Sequence, residues 1–188
     1  MFKLLFRLGG WKITHYLPKE IRRCVIVAAP HTSNWDFMYG MGALKIMKLK
    51  MRFTIKKEWI RFPLKRLMHK LGALPIDRSP KSDGTKKSTV EAMAELFETH
   101  EDLLLMITPE GTRSRVEKWR TGFYYVALAA KVPLALGFMD YKTRECGIDK
   151  IIYPSGDFYK DMKEIMAFYS TKTAKNPHNF SIDRTFEV

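Results

Sequence analysis

Short apolar runs rich in β-branched residues alternate along this chain with longer segments whose apolar residues recur at helical spacing. Nothing else in the sequence restricts the fold as strongly. CVIVAA (24–29) and LLLMI (103–107) are strand-sized and apolar throughout, the pattern of strands buried on both faces. Between them, residues 85–99 carry Val90, Met93, Leu96 and Phe97 on one helical side. Read this way, the chain predicts strands over 22–29, 51–56, 72–76, 103–108, 132–138 and 151–153. It predicts helices over 35–47, 63–70, 85–99, 122–131 and 157–169, preceded by an N-terminal amphipathic helix. Such alternation implies an α/β fold, a single layered domain with a mixed, largely parallel sheet flanked by helices. The 188 residues suffice for one domain with a real core. They divide into an amphipathic segment (1–20), a motif-bearing core (22–140) and a C-terminal extension (141–188).

The first buried strand opens into APHTSNWD (29–36), and two readings of it stand side by side. In one, Ser33 is a helix N-cap, Asp36 completes a capping box, and FMYGMGALKIM continues the helix, with His31 incidental in the loop. In the other, His31 and Asp36 work together. On a continuous helix, side chains five apart diverge by about 140° and cannot meet. With Ser33 as the cap, His31 lies outside the helix and Asp36 in its first turn, so the imidazole can fold back toward the carboxylate. The helix N-terminus favours neutral imidazole. A neutral histidine oriented by a carboxylate is what a general base requires. The place suits it, because open α/β sheets bind ligands beyond the carboxyl ends of their strands.

Two more strand ends carry polar chemistry. LLLMI opens into TPEGTRSR (108–115), where Pro109 and Gly111 shape a tight turn and Glu110, Arg113 and Arg115 cluster around it. Glycine lets a ligand approach the backbone, and arginine offers a fork suited to phosphate. A turn held by a structural Glu–Arg pair accounts for the same residues. ALPIDRS (73–79) reads as a strand ending in Asp77 and Arg78, followed by a polar surface loop, SPKSDGT (79–85). In a parallel sheet the three strand ends converge on one rim.

At 46% apolar, the composition excludes a disordered chain. Cys24 and Cys146 form no paired motif and no secretory pattern opens the chain, which points to reduced thiols in a cytoplasmic protein. The histidines and cysteines show no metal-ligand spacing. No apolar run approaches the ~20 residues that span a bilayer. The net charge of +13 is concentrated in residues 1–70, which hold sixteen Lys and Arg against Glu20, Asp36 and Glu58. That asymmetry fits a polyanionic surface, nucleic acid or anionic lipid. Phe2, Leu4, Leu5, Phe6, Leu8 and Trp11 interleave with Lys3, Arg7 and Lys12, as in helices that lie on membranes. In EWIRFPLKRLMHKLG (58–72), Ile60, Leu64, Leu67, Met68 and Leu71 share one face. A membrane-surface helix and an ordinary core-facing helix explain that segment equally well. No nucleic-acid-binding module pattern is present.

HTSNWD resembles the H-x4-D motif of the glycerolipid acyltransferases, the lysophosphatidic acid acyltransferase-like family. KKEWIRFPLKRLMHKLGALPIDRS, TPEGTRSR and WRTGFYYVALAAKVPLALGF resemble that family's later blocks, in the same order, over residues 24–138. The resemblance implies transfer of a fatty acyl group from a thioester, acyl-CoA or acyl carrier protein. The acceptor it implies is a hydroxyl of a lysophospholipid such as 1-acylglycerol 3-phosphate, in phospholipid biosynthesis, with no cofactor or metal. It implies His31 as general base and Asp36 as the carboxylate that orients it. It places Arg78, Glu110, Gly111, Thr112, Arg113 and Arg120 in acceptor binding. Glu110 cannot itself attract a phosphate, and is suited to orient an arginine or accept from the acceptor's hydroxyl. Arg120 stands where the family often has lysine, and Trp59 where it has leucine. The long N-terminal membrane helices of many relatives have no counterpart here. These departures bear on the acceptor, which in related subfamilies includes lyso-ornithine lipids. A non-catalytic basic domain that binds lipid or nucleic acid is the rival from another class. The location implied is peripheral, on the cytoplasmic face of a membrane, with residues 1–20 facing an anionic surface and no specific nucleic acid partner.

Overall fold

Side chains alternate along a strand, so an all-apolar strand must be covered on both faces. The computed structural model, which describes residues 1–56, 65–76 and 87–186, shows how this chain does so. In chain order its elements are α1 (Phe2–Leu8), β1 (Lys12–His15), β2 (Arg23–Ala28), α2 (Asn34–Met47), β3 (Met51–Lys56), α3 (Lys65–Leu71) and β4 (Ala73–Ile76). Then come α4 (Thr89–Thr99), β5 (Leu103–Ile107), α5 (Gly122–Ala130), β6 (Leu134–Asp140), β7 (Glu145–Ile152) and α6 (Phe158–Ser170). The described strands form one seven-stranded sheet in the order β1-β7-β6-β2-β5-β3-β4. All neighbours are parallel except the β6–β7 hairpin. This is the single α/β domain with a mixed, mostly parallel sheet that the alternation predicts.

On one face Val25 and Val27 join Leu103, Leu105, Leu134 and Leu136 beneath residues of α4, α5 and α6, including Phe97, Phe123, Met162 and Tyr169. On the other, Cys24 and Ile26 join Leu104, Ala135 and Ile148. Here α1 and α2 form the cover through Phe6, Ala43, Met41 and Leu44. Each fully buried Val, Leu or Phe contributes about 1.5–3 kcal/mol of transfer free energy, so the central strands are the most stabilised part of the fold. Because β2 pairs in parallel with both β5 and β6, their carboxyl ends reach the same rim.

Two readings of the sequence are corrected. The N-terminal amphipathic helix is short, ending at Leu8, and residues 12–15 are a strand, β1, paired with β7. Phe6 and Trp11 are core residues, 3% and 6% exposed, while Leu4 and Leu8 stay in solvent. The short strand expected over 151–153 is the far end of the eight-residue β7. ECGIDKII carries Gly147, Asp149 and Lys150 and reads as loop, yet pairing on both sides makes it a strand. At Gly147 a Cβ would lie 2.4 Å from the His15 carbonyl oxygen, so only glycine lets β1 run alongside. The C-terminal extension, residues 141–188, packs within the same sheet and core. It supplies β7 and α6, whose Met162, Ile165, Met166 and Tyr169 are buried in the main core. Residues 57–64 and 77–86, with Trp59, Asp77, Arg78 and the whole of the loop 79–85, lie outside the described residues.

Candidate active site

The chain leaves β2 through a cis Ala29–Pro30 peptide and enters α2 at Ser33, the N-cap. The Ser33 hydroxyl accepts from the Trp35 N–H at 3.2 Å, and the Asp36 carboxylate reaches back to the N–H groups of Thr32 and Ser33, both at 2.7 Å to Oδ2. The capping box is therefore real, and it is also what brings the pair together. His31 Nδ1 lies 3.6 Å from Asp36 Oδ2, with Asp36 almost fully buried and His31 partly open. That separation exceeds a formed hydrogen bond and is within reach of one on a small ring rotation. The turn that caps the helix is thus also the turn that places His31 beside Asp36.

Three further elements hold this loop. The His31 N–H donates to Glu110 Oε1 at 2.8 Å, from the turn after β5. The Tyr141 hydroxyl, just past β6, donates to Asp36 Oδ1 at 2.6 Å. Asn176, beyond α6, donates from its side chain to the Thr32 carbonyl at 2.9 Å and from its backbone to the Thr32 hydroxyl at 3.2 Å. Below them Tyr169, wholly buried, offers its hydroxyl to the carbonyls of Val27 and Gly137 at 2.7 and 3.1 Å, tying the ends of β2 and β6.

Burial lowers the pKa of His31, and the Arg113 cation opposes protonation further, while Asp36 partly restores it. The net effect keeps imidazole neutral at neutral pH. Asp36 accounts for Nδ1, which leaves Nε2, across the ring, free to take a proton. Burial pushes the Glu110 carboxyl up to about 7.

The second motif turns sharply after β5. Gly111 has φ +65, and a Cβ there would sit 2.6 Å from Arg120 Nε, so this glycine meets both the backbone and the packing requirement. The Arg120 N–H donates to the Pro109 carbonyl at 2.8 Å. Thr112 is exposed, with its hydroxyl accepting from the Ser114 N–H at 3.3 Å. Glu110 orients no arginine among the described residues: Oε1 serves His31, and Oε2 is buried with no partner. Arg115 pairs instead with Glu117, at 3.0 Å. Arg113 and Arg120 reach the cavity that His31 lines. Arg78 lies outside the described residues.

That cavity, of about 520 Å³, lies between α2 and the sheet. Its polar residues are few: His31, Asp36, Thr54, Thr108, Arg113 and Arg120. The rest is apolar, with Phe37, Met41, Leu44 and Met47 above, and Ile26, Met106 and Ile148 below. Such a site fits a molecule with an anionic or polar head and a long apolar tail. Sequence reasoning missed Tyr141 and Asn176, which approach Asp36 and Thr32 from 105 and 144 residues away. Neither stands in a recognisable motif.

In fold the chain is similar to the crystal structure of the 1-acyl-sn-glycerophosphate (LPA) acyltransferase, PlsC, from Thermotoga maritima, with a TM-score of 0.57 and 15% identity. The likeness covers 90% of this chain and 74% of that one. Among curated proteins, no sequence matches this chain. The sequence model of the Acyltransferase family matches residues 12–135, well over half the chain, and takes in both loop motifs: the chain belongs to the acyltransferase family.

Proposed function

We propose that the protein transfers a fatty acyl group from an acyl thioester to a hydroxyl of a lysophospholipid such as 1-acylglycerol 3-phosphate. The observation that carries this reading is the His31–Asp36 pair lining an apolar cavity that two arginines also reach. In the reaction, His31 Nε2 takes the acceptor's hydroxyl proton as the oxygen attacks the thioester carbonyl. The C–O bond forms, the C–S bond breaks, and the proton passes from the imidazolium to the departing thiolate. Asp36 holds the tautomer and stabilises the imidazolium without accepting the proton. Base catalysis of this kind supplies about 10²–10⁴-fold. The acyl chain fits the apolar space beneath α2. Arg113 and Arg120 suit the phosphate of the acceptor, a choice also supported by the likeness in fold to an acyltransferase that acts on 1-acyl-sn-glycerophosphate. The donor, acyl-CoA or acyl carrier protein, is activated already, so no protein nucleophile is required.

Among the described residues, no helix is long and apolar enough to cross a membrane. Met1, Leu4 and Leu8 project from α1 into solvent beside the basic Lys3 and Arg7. The reading therefore includes peripheral attachment to an anionic membrane surface, where both acceptor and product reside.

The test uses purified protein, a long-chain acyl thioester and a panel of lysolipid acceptors. The wild type is expected to acylate the phosphate-bearing acceptor, and His31→Ala to lose at least about 10²-fold in kcat while melting at the same temperature. The lowered pKa of His31 adds a pH signature. Activity should fall on the acid side only below the ordinary histidine value of 6.5, as the base becomes protonated. Equal activity in the variant removes the catalytic reading. A preference for a phosphate-free acceptor removes the phosphate part of it.

A further inference from the structure

We infer that Tyr141 is a positioning residue for the active site: its hydroxyl sets the rotation and charge of the Asp36 carboxylate, and through it the state of His31. The argument is geometric. Asp36 Oδ2 accepts from the N–H groups of Thr32 and Ser33 and faces the Nδ1 of His31 at 3.6 Å. A rotation about the bond to the carboxylate would carry Oδ2 away from His31. The opposite oxygen, Oδ1, accepts from Tyr141 at 2.6 Å, a short bond that opposes that rotation.

Tyr141 is itself fixed from three sides. Its N–H donates to the Thr173 carbonyl at 2.9 Å, in the segment after α6. Its ring meets Trp11 edge to face, with centroids 4.8 Å apart and planes at 89°. Trp11 is 6% exposed and belongs to the core cluster of Phe6, Ala43 and Cys146. On the third side, the Tyr141 hydroxyl reaches the Asp36 carboxylate. Both Trp11 and Tyr141 lie outside the stretch 12–135 that matches the family, so this brace is built from parts of the chain that the family match does not describe. The phenol stays protonated, since burial and the neighbouring carboxylate hold its pKa far above the ordinary tyrosine range. It is therefore a donor throughout the working pH range.

The groups that face His31 are Asp36 from α2, Glu110 from the turn after β5, and Arg113 from the same turn. Of these, only Asp36 accepts from Tyr141. Removing the hydroxyl leaves more negative charge on the carboxylate facing His31. The imidazolium gains from it, and His31 titrates at a higher pH. At the same time the carboxylate keeps its two backbone bonds on Oδ2 but loses the one on Oδ1, so its orientation toward His31 is held less firmly.

Tyr141→Phe keeps the ring against Trp11 and removes only the donor. Two measurements on the full chain test the inference. The first is NMR titration of the His31 imidazole, assigned by comparison with His31→Ala. The second is steady-state kinetics with a long-chain acyl-CoA and 1-acylglycerol 3-phosphate, which rests on the acyl-transfer reading. We expect the His31 midpoint to move up by about half a pH unit. We expect kcat to fall about tenfold with both KM values within twofold, and the melting temperature to stay near that of the wild type. A packing role alone would leave the His31 midpoint where it is. An unmoved midpoint overturns the inference, as does an unchanged kcat in an active enzyme. If the wild type shows no acyl transfer, the proposed reaction fails, and the titration alone decides whether Tyr141 acts on His31 through Asp36.

Discussion

Glu110 sits beneath the active-site loop with one carboxylate oxygen on the His31 N–H and the other buried without a partner. Its place in the second motif suggested a partner for arginine or for the acceptor's hydroxyl. In the structure its Oε1 accepts from the His31 N–H, so it holds the loop that carries His31. Its carboxyl, ordinarily near 4.5, is pushed up to about 7 by burial. A group whose folded pKa is raised contributes stability that is complete below its unfolded pKa and lost as pH rises through the folded one. For Glu110 that window runs from 4.5 to about 7. Glu110→Gln keeps an acceptor for His31 and cannot ionise. Its melting temperature relative to the wild type should climb across this window and level off above it. At roughly 2–4 °C per kcal/mol for a chain of this size, the rise should be on the order of 10 °C. Thermal melts at pH 4.5, 6 and 8 check this, and a difference independent of pH would mean that Glu110 is not the group being titrated.

At the scale of elements, α2 does two jobs. Its first turn holds the histidine and aspartate together, and its inner face roofs the cavity through Gly40, Met41, Leu44 and Met47. Gly40 is the point at which the roof can be lowered. A Cβ there would find its nearest neighbour, Met139 Sδ, at 3.9 Å, an ordinary contact. Gly40→Leu should therefore enter the cavity without displacing backbone, and replacing a mid-helix glycine adds about 0.5–1 kcal/mol of helix stability. With space for the tail reduced, kcat/KM for a long acyl thioester should fall about tenfold relative to a short one. Competition between two chain lengths in one reaction reads the ratio directly. An unchanged ratio would place the acyl chain elsewhere.

For the whole molecule, the question is how a protein with this charge would meet the membrane surface that the proposed reaction requires. The N-terminal segment is divided: Phe6 and Trp11 are core, while Leu4 and Leu8 are 60% and 75% exposed. The exposed Phe37 of α2, which lines the cavity, meets the Phe2 ring at 6.2 Å, so the start of α1 lies near the site. Deleting residues 1–17 would remove β1 and Trp11 and disturb the fold, so it does not test an anchor. Replacing Leu4 and Leu8 together by glutamate leaves the core intact. Burying one leucine is worth about 1.5–3 kcal/mol, so the double variant should lose at least tenfold in partitioning to anionic vesicles at unchanged melting temperature. Each basic residue near the surface adds ~1 kcal/mol that salt screens. Wild-type binding should accordingly weaken at high salt without vanishing. Sedimentation of the double variant equal to that of the wild type would exclude α1 as the contact.

What the sequence determined by itself is what local chemistry controls. The helix α2 and its cap were legible, because Ser33 and Asp36 act across three residues and the apolar run follows at once. Strands β2 and β5 were legible because a short run apolar throughout has to be covered on both faces. The pairing of His31 with Asp36 was legible for the same local reason, since the cap that starts the helix also folds the loop. Two features only the tertiary structure decided. Strand β7 carries glycine, aspartate and lysine and becomes a strand because β1 and β6 flank it. Tyr141, Asn176 and Glu110 reach the loop from 105, 144 and 79 residues away. No spacing in a sequence encodes such contacts. They exist because parallel pairing brings the ends of β2, β5 and β6 to one rim, where buried polar groups far apart in the chain must satisfy one another.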